Sequence, residues 1–434
     1  MRSVNQVCDE LNGLFPFAQL AKLLPDAAPF YLVGGALRDL FLGRACSDLD
    51  FAAAFDPTAL ARTLARNFGG RWFFLDESRR QSRILLPFND TQVSCDFAPL
   101  RSPGLLEDLK LRDFTINAMT MRVRGETQGE DFYDPLCGLG DLGSGRLRIC
   151  SRDVLKDDPL RILKGLRHWT NMGVEPCPDT LSAMRAAACG IAGVAAERIR
   201  RETGLLFDHV RPALVYRRLV SIGLHRYFFG EVHACKNNEI VAALEMLGRN
   251  IQDMQTNLFF QTSIGHSLEE GMTRRAAFNL TMILRAIEPA AAKTFLLNQK
   301  FSRTASRAIR GYLELAFSRL SDVQRLCCGA RGRYWWTADL GHDAVGCLLF
   351  LAAAGWHQNR RAALEAIAMA REFTVAAPLR DLVDGRCLLQ RFGVEPGPET
   401  GRALRALRRE EIAGRVCNIR QAYTFLEKRC QKTH

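Results

Sequence analysis

The sequence predicts an α+β protein, with a mixed α/β region at the N-terminus and an all-helical remainder. Three observations predict it. A strand, a Gly-Gly turn, a helix and a second strand follow one another between residues 30 and 51, and more strands follow before residue 100. From Asp153 onward the apolar spacing is helical almost throughout. The chain has 434 residues, 47% hydrophobic and 24% charged, which suits two to four domains with ordinary cores and excludes disorder of the whole chain.

Each element has its own signal. Phe30-Tyr31-Leu32-Val33 is a short apolar and aromatic run that stops at Gly34-Gly35, as a buried strand does. Residues 36–43 place Ala36, Leu37, Leu40 and Phe41 at helical spacing. Asp48-Leu49-Asp50-Phe51 alternates as a strand, and 57–68 reads as a helix. Strands are expected around 72–75, 83–86 and 92–97, with turn signals at Gly69-Gly70 and Pro87-Phe88-Asn89-Asp90. Helices are expected over 153–170, with Pro159 as an internal boundary, over 178–188 and over 195–207. A helical series then runs to the end, broken at Pro396-Gly397-Pro398, with no repeat of fixed period.

The net charge of +12 suits a polyanionic partner such as nucleic acid, a nucleotide or anionic lipid; the alternative is a basic surface kept soluble by its charge. No window of about 18 apolar residues is present, so no transmembrane helix is expected. Asp9, Glu10, Lys22 and Asp26 interrupt the first thirty residues, which is unlike a secretory signal, and a cytoplasmic protein is expected. The 14 cysteines include no C-x-x-C pair, and Cys327 and Cys328 are adjacent. Reduced, mostly buried thiols are expected, without structural zinc.

The candidate chemistry begins at Gly34-Gly35. Two glycines between a strand and a helix let the backbone approach a ligand, and their N–H groups with the helix start suit phosphates. Arg38 adds charge there. Asp48 and Asp50 are two apart on a strand and share a face, while Leu49 and Phe51 point to the core. Two such carboxylates repel unless a cation lies between them, and Mg²⁺ bridges carboxylates to phosphates. A lone Asp-x-Asp is more often a solvated strand edge; in register with the glycine turn it is a stronger signal. Asp96, flanked by small and apolar residues in an expected strand, needs a partner if buried. Either it completes the metal site or it pairs with a neighbouring Arg.

With Leu111-Arg112-Asp113-Phe114-Thr115-Ile116-Asn117-Ala118-Met119 added, the sequence resembles the class II tRNA nucleotidyltransferases. That family comprises CCA-adding enzymes, their CC-adding and A-adding relatives and bacterial poly(A) polymerases. The resemblance continues through Asp134-Pro135-Leu136-Cys137-Gly138-Leu139-Gly140-Asp141-Leu142, through Asp157-Asp158-Pro159-Leu160-Arg161-Ile162-Leu163, and through Ala196-Glu197-Arg198-Ile199. Beyond residue 207 it is looser, returning from Ala377 through Glu399 and at Arg402-Ala403-Leu404-Arg405.

The resemblance implies a polymerase-beta-like nucleotidyltransferase head over 1–150 that includes an N-terminal helix. A helical neck over 151–215, a body over 216–376 and an RNA-binding tail over 377–434 would follow. It implies that Asp48 and Asp50 bind the metal, with Asp96 a tentative third acid. Gly34, Gly35 and Arg38 would face the triphosphate, and Arg112, Asp113 and Asn117 would hold nucleotide sugar and phosphates. Asp158 and Arg161 would read the Watson–Crick edge of the incoming base.

That last role has a physical basis. Pro159 suits the first turn of a helix, so Asp158 lies at or near its N-cap and Arg161, three residues on, shares its side. Cytosine and adenine both present an amino donor beside a ring-nitrogen acceptor, which Asp and Arg complement. Uracil and guanine would present a carbonyl to the Asp charge. The alternative is a cap with a surface ion pair.

Lys164 and Arg167 continue that face and suit phosphate or RNA. Arg198, Arg200 and Arg201 form one basic cluster; Arg303, Arg307, Arg310 and Arg319 a second; Arg402, Arg405, Arg408 and Arg409 a third. Each suits RNA backbone or is a solvated face. Tyr334-Trp335-Trp336 suits stacking or a core.

Departures from the family pattern are Asp157 for a usual Glu, Lys164 for a common Arg, Cys137 for a frequent Gly and Leu111 for a frequent Arg. His342-Asp343 is the only His-Asp dipeptide, so the metal phosphohydrolase activity of some relatives is expected to be absent.

The expected function is template-independent addition of C and/or A from CTP and ATP to the tRNA 3′ end, with Mg²⁺. No membrane and no obligate protein partner are implied. A poly(A) polymerase is the alternative within the class, and a catalytically inactive RNA-binding protein the alternative outside it. Which nucleotides are added is left open by the sequence.

Overall fold

The computed structural model describes residues 1–25, 28–89, 91–315, 343–375, 382–392, 397–412 and 415–430. Asp26, Asp90, Arg319, Cys327, Cys328, Tyr334, Trp335, Trp336, His342, Ala377 and Pro396 lie outside the described residues. The chain divides into two compact units, Met1–Val194 and Ala195–His434.

The first unit opens with α1 (Val4–Leu14), started by a capping box in which Ser3 and Gln6 exchange side-chain and backbone hydrogen bonds. α2 (Phe17–Ala21), β1 (Phe30–Val33), α3 (Gly35–Phe41), β2 (Asp48–Ala53) and α4 (Thr58–Asn67) follow, then β3 (Arg71–Asp76), β4 (Gln81–Phe88) and β5 (Thr91–Pro99). After α5 (Leu105–Lys110) come a 3₁₀ turn (Thr115–Asn117), β6 (Thr120–Arg122), β7 (Phe132–Tyr133), α6 (Gly138–Gly143) and β8 (Arg146–Leu147). The unit closes with α7 (Val154–Asp157), α8 (Leu160–Met172), β9 (Glu175–Pro176) and α9 (Pro178–Ala187).

Seven strands form one sheet in the order β3-β4-β5-β2-β1-β6-β7. β2 and β5 are parallel and every other neighbouring pair is antiparallel. The parallel pair needs a crossover, and α4 with the β3–β4 hairpin supplies it. β2 alternates as its sequence does: Leu49 and Phe51 are buried, Asp48 and Asp50 are exposed. Phe51 stacks with Phe30 at 5.3 Å and with Phe97 at 5.1 Å, and Phe15 lies 5.4 Å away. This phenylalanine core, with Leu60, Ala61 and Leu64 of α4, anchors β2 from below and leaves its polar face free.

The expected helix over 153–170 is broken where Pro159 placed the boundary, into α7 and α8. The strands β8 and β9 were not expected. They pair in parallel, Arg146 with Glu175 and Leu147 with Pro176, and two-residue strands are too short to show a period.

The second unit is helical apart from a small hairpin, Ser267–Glu269 with Met272–Thr273, turning at Gly271 with φ 78°. Asp343 is buried and accepts hydrogen bonds from Arg274, Tyr312 and the Gly346 N–H, a structural role. The helices Gly385–Phe392, Pro398–Ile412 and Ile419–Cys430 share a small core of Leu388, Leu407, Ala422 and Leu426. No helix among the described residues is long and apolar enough to cross a membrane, and the cysteines whose side chains are described, from Cys8 to Cys417, are free thiols.

Candidate active site

Gly34 ends β1 in a conformation with φ 86° and ψ −150°, which side chains with a Cβ rarely adopt. A Cβ on Gly34 would stand 2.6 Å from Asp50 Oδ2, and one on Gly35 would stand 3.0 Å from a terminal nitrogen of Arg38. The first glycine therefore makes room for the carboxylate and the second for the guanidinium. β1 pairs Val33 with Asp50, which brings the turn to the carboxylates. α3 is only seven residues long, so Arg38 rather than the helix dipole supplies the cationic character here.

Asp50 is exposed as a residue and partly buried against its charged neighbours. That partial burial and the neighbouring Asp96 push its carboxyl up to about 6, with Arg112 opposing. Two like charges on one exposed face and a raised carboxyl fit an oxygen-seeking divalent cation. Asp96 is opposite Asp50 in the parallel ladder, and both its oxygens accept from Arg83, at 2.6 and 2.8 Å. The Arg partner weighed for Asp96 is thus present. Among the described residues no group of three or more His, Cys, Asp and Glu is arranged to hold a metal. The carboxylates on offer are Asp48 and Asp50.

Arg38 donates to both oxygens of Asp39, at 3.0 and 2.6 Å, and to Asn117 Oδ1. Asn117 Nδ2 donates to Asp113 Oδ1 at 2.9 Å and meets His168 Nε2 at 3.3 Å. The His168 imidazole is held well below its ordinary pKa by burial and by Arg38 and Arg167, so it is neutral and its Nε2 accepts from Asn117. Burial would raise Asp113; the Lys164 charge and the hydrogen bonds from Asn117 and the Phe114 N–H outweigh it and hold the carboxyl low. Arg112 is pulled below its ordinary value by burial and donates to Asp108 at 3.2 Å, while its buried Nε has no hydrogen-bond partner. An unsatisfied guanidinium nitrogen near the carboxylates suits an anionic or sugar oxygen.

The stretch from Asp134 to Leu142 builds a support for Asn117. Asp134 accepts from the N–H groups of Gly138 and Leu139, at 2.8 and 2.9 Å. Asp141 is buried and accepts from Thr115 Oγ1 at 2.6 Å and Arg148 Nε at 2.9 Å. A Cβ on Gly138 would lie 2.1 Å from the Thr115 carbonyl oxygen, so α6 can approach the 3₁₀ turn only with glycine there. Cys137 sits at φ 58°, a left-handed conformation that glycine adopts at less cost.

Asp158 and Arg161 stand at the start of α8 with Nε and Oδ2 4.0 Å apart. Arg161 is anchored by a 3.1 Å bond to the Val154 carbonyl. Cys150, whose N–H donates to the Asp113 carbonyl, lies within electrostatic range of Arg112 and Arg161 and so stands between the Asp158–Arg161 pair and the Arg112–Asn117 segment.

The profile of the Poly A polymerase head domain matches residues 30–148, and that of the probable RNA and SrmB- binding site of polymerase A matches 173–236. The CC-adding tRNA nucleotidyltransferase of Geobacter sulfurreducens is 28% identical over 92% of this chain and 91% of that protein. The A-adding tRNA nucleotidyltransferase of Deinococcus radiodurans is 29% identical over 94% and 96%. The chain is thus similar over most of its length to CC-adding and A-adding tRNA nucleotidyltransferases, and over residues 30–148 to the Poly A polymerase head domain. A solved CCA-adding enzyme in complex with ATP superposes with a TM-score of 0.64 at 20% identity, covering 100% of this chain and 99% of that one, and shares the fold.

Sequence reasoning missed Arg83, Asp108 and His168. Their signals were weak. Arg83 is one cation in an alternating strand, and its partner is settled by register. His168 lies four residues beyond Lys164 on α8, but nothing local says that Asn117 faces it. The first basic cluster is partly committed: Arg200 lies 3.3 Å from Glu269 and Arg201 3.0 Å from Glu270. Arg198, Arg303, Arg307, Arg310, Arg402 and Arg405 are exposed.

Proposed function

We propose that this chain adds C and/or A from CTP and ATP to the 3′ end of tRNA, without a nucleic-acid template. The terminal ribose hydroxyl attacks the α-phosphorus, a new P–O bond forms and pyrophosphate leaves. The observation that carries this reading is the exposed Asp48–Asp50 pair, with Asp50 set directly against the Gly34 turn. Mg²⁺ held by these two carboxylates would supply charge neutralisation at the phosphates and a more acidic attacking hydroxyl.

The remaining residues position and select. Arg38, Asn117 and Arg112 offer donors to the nucleotide sugar and phosphates, braced by Asp39, Asp113 and Asp108. Asp158 accepts the exocyclic amine of C or A while Arg161 donates to the ring nitrogen. Lys164 and Arg167 extend that face toward phosphate or RNA, and Arg198 adds a further cation for the RNA backbone. Such positioning and charge complementarity account for most of the rate in phosphoryl transfer. Relatives named as CC-adding, A-adding and CCA-adding support the tRNA 3′ end as substrate.

The test uses tRNA transcripts lacking CCA, lacking CA or lacking only A, each with CTP, ATP or both, and an unrelated RNA as control. Incorporation of C or A limited to the tRNA end is expected. Long A tails on the unrelated RNA would make it a poly(A) polymerase, and no incorporation on any RNA would leave an RNA-binding protein.

A further inference from the structure

The register of the sheet shows what stands beside the carboxylates. Across β2, β5, β4 and β3, Asp50 is opposite Asp96, Asp96 opposite Arg83 and Arg83 opposite Phe73. Two residues along, Asp48, Ser94, Leu85 and Arg71 form a second row. Directly opposite residues share a face, so both rows look the same way as the carboxylates. The row between them, Leu49, Cys95, Ile84 and Trp72, faces the other way, and there Arg62 of α4 lies 4.1 Å over the Trp72 ring. On the open side Phe73 is 41% exposed, and a cavity of about 630 Å³ is lined by Arg71, Leu85, Pro87 and Gln92.

Nucleotidyl transfer puts the attacking and leaving oxygens roughly in line, on opposite sides of the α-phosphorus. Two of the groups suited to the nucleotide lie on one flank of Asp50: Gly34 follows β1, and Asn117 precedes β6, the next strand out. The other flank is β5, β4 and β3. Gly34 and Asn117 leave that second flank to the acceptor strand. Arg83 is tied to Asp96, which leaves Phe73, Leu85 and Arg71 as the surface on offer. An aromatic and an aliphatic platform with an exposed Arg fits an unpaired RNA end, whose bases stack and whose phosphates need a cation.

We infer that the last nucleotides of the acceptor RNA lie across β5, β4 and β3, with a base stacked on Phe73 and Leu85 and a phosphate at Arg71. This rests on the transferase reading. Phe73 is three strand spacings from Asp50, about 14 Å, so it binds the strand behind the reacting ribose and takes no part in the chemistry.

The test is steady-state kinetics with a tRNA lacking its 3′ end. Phe73→Ala and Arg71→Gln each raise the KM for RNA about ten-fold, the worth of one lost stack or phosphate contact, and leave the KM for CTP and ATP unchanged. Phe73→Trp retains the RNA KM. An unchanged RNA KM, or a parallel rise in all the KM values, overturns the inference. So does a dimer that Phe73→Glu splits with RNA binding intact, which would make the face a subunit contact. A tRNA ending in photoreactive 4-thiouridine supplies an arm that needs no turnover. Crosslinks in the β3–β4 hairpin support the path and crosslinks confined elsewhere refute it, even if the wild-type protein transfers no nucleotide and the transferase reading falls.

Discussion

Replacing Asp50 by asparagine removes a charge that the metal-free fold holds against its own preference. The Asp50 carboxyl stands at about 6 instead of 3.8, through partial burial and the nearby Asp96. Between those pH values the folded chain binds more protons than the unfolded chain, so its stability falls as pH rises through that window and stays lowered at neutral pH. A shift of about two units is worth about 3 kcal/mol if taken in full. More than a third of the residue is open to water, so screening reduces the expected contribution to about 1 kcal/mol. Asp50→Asn keeps the shape and should stabilise the chelator-treated protein by that amount at pH 7.5, with the gain vanishing near pH 4. Hydrogen exchange of the β2 and β5 amides reads the change where it occurs. Adding Mg²⁺ should then protect the wild type and not the variant, and the variant should incorporate no nucleotide. A variant less stable than wild type at pH 7.5, or a gain that persists at pH 4, would refute this electrostatic account.

Other outcomes follow from single positions. Cys137→Gly should raise stability by about 1 kcal/mol, because a left-handed φ of 58° costs any residue with a Cβ and the side chain is exposed; urea unfolding measures it. Gly138→Ala should lower stability by roughly 1–3 kcal/mol and abolish incorporation, since its methyl would meet the Thr115 carbonyl and displace Asn117; unchanged melting would contradict the close approach. His168→Phe keeps the edge-to-face packing on Phe114, now 5.9 Å between centroids, but loses the acceptor for Asn117. The KM for CTP or ATP should rise roughly 2–10-fold with little change in stability, and His168→Gln should restore it.

Much of the first unit was legible because local spacing carries it. Alternation along β2 set Asp48 and Asp50 on one face, and Pro159 divided α7 from α8, since proline cannot continue a helix. Asp96 was legible as an acid in need of a partner, but Arg83 as that partner was not. The two meet across antiparallel strands whose register depends on hairpin geometry. His168 reads locally as one more polar residue on a basic helix, and its contact with Asn117 spans 51 positions. The short pairing of β8 with β9 left no period to detect.

The sequence by itself determined which residue types stand at which faces: two glycines before a short helix, two carboxylates on alternate strand positions, an Asp and an Arg one helical turn apart. These follow from periods of two and 3.6, which any chain carries locally. Only the tertiary structure decided which faces meet. It set Gly34 against Asp50, gave Asp96 to Arg83, left Arg112 Nε without a partner and extended the carboxylate face to Phe73. Those contacts arise from strand order and register. Both are settled by burial of the shared phenylalanine core, a long-range free energy that no short stretch of sequence contains.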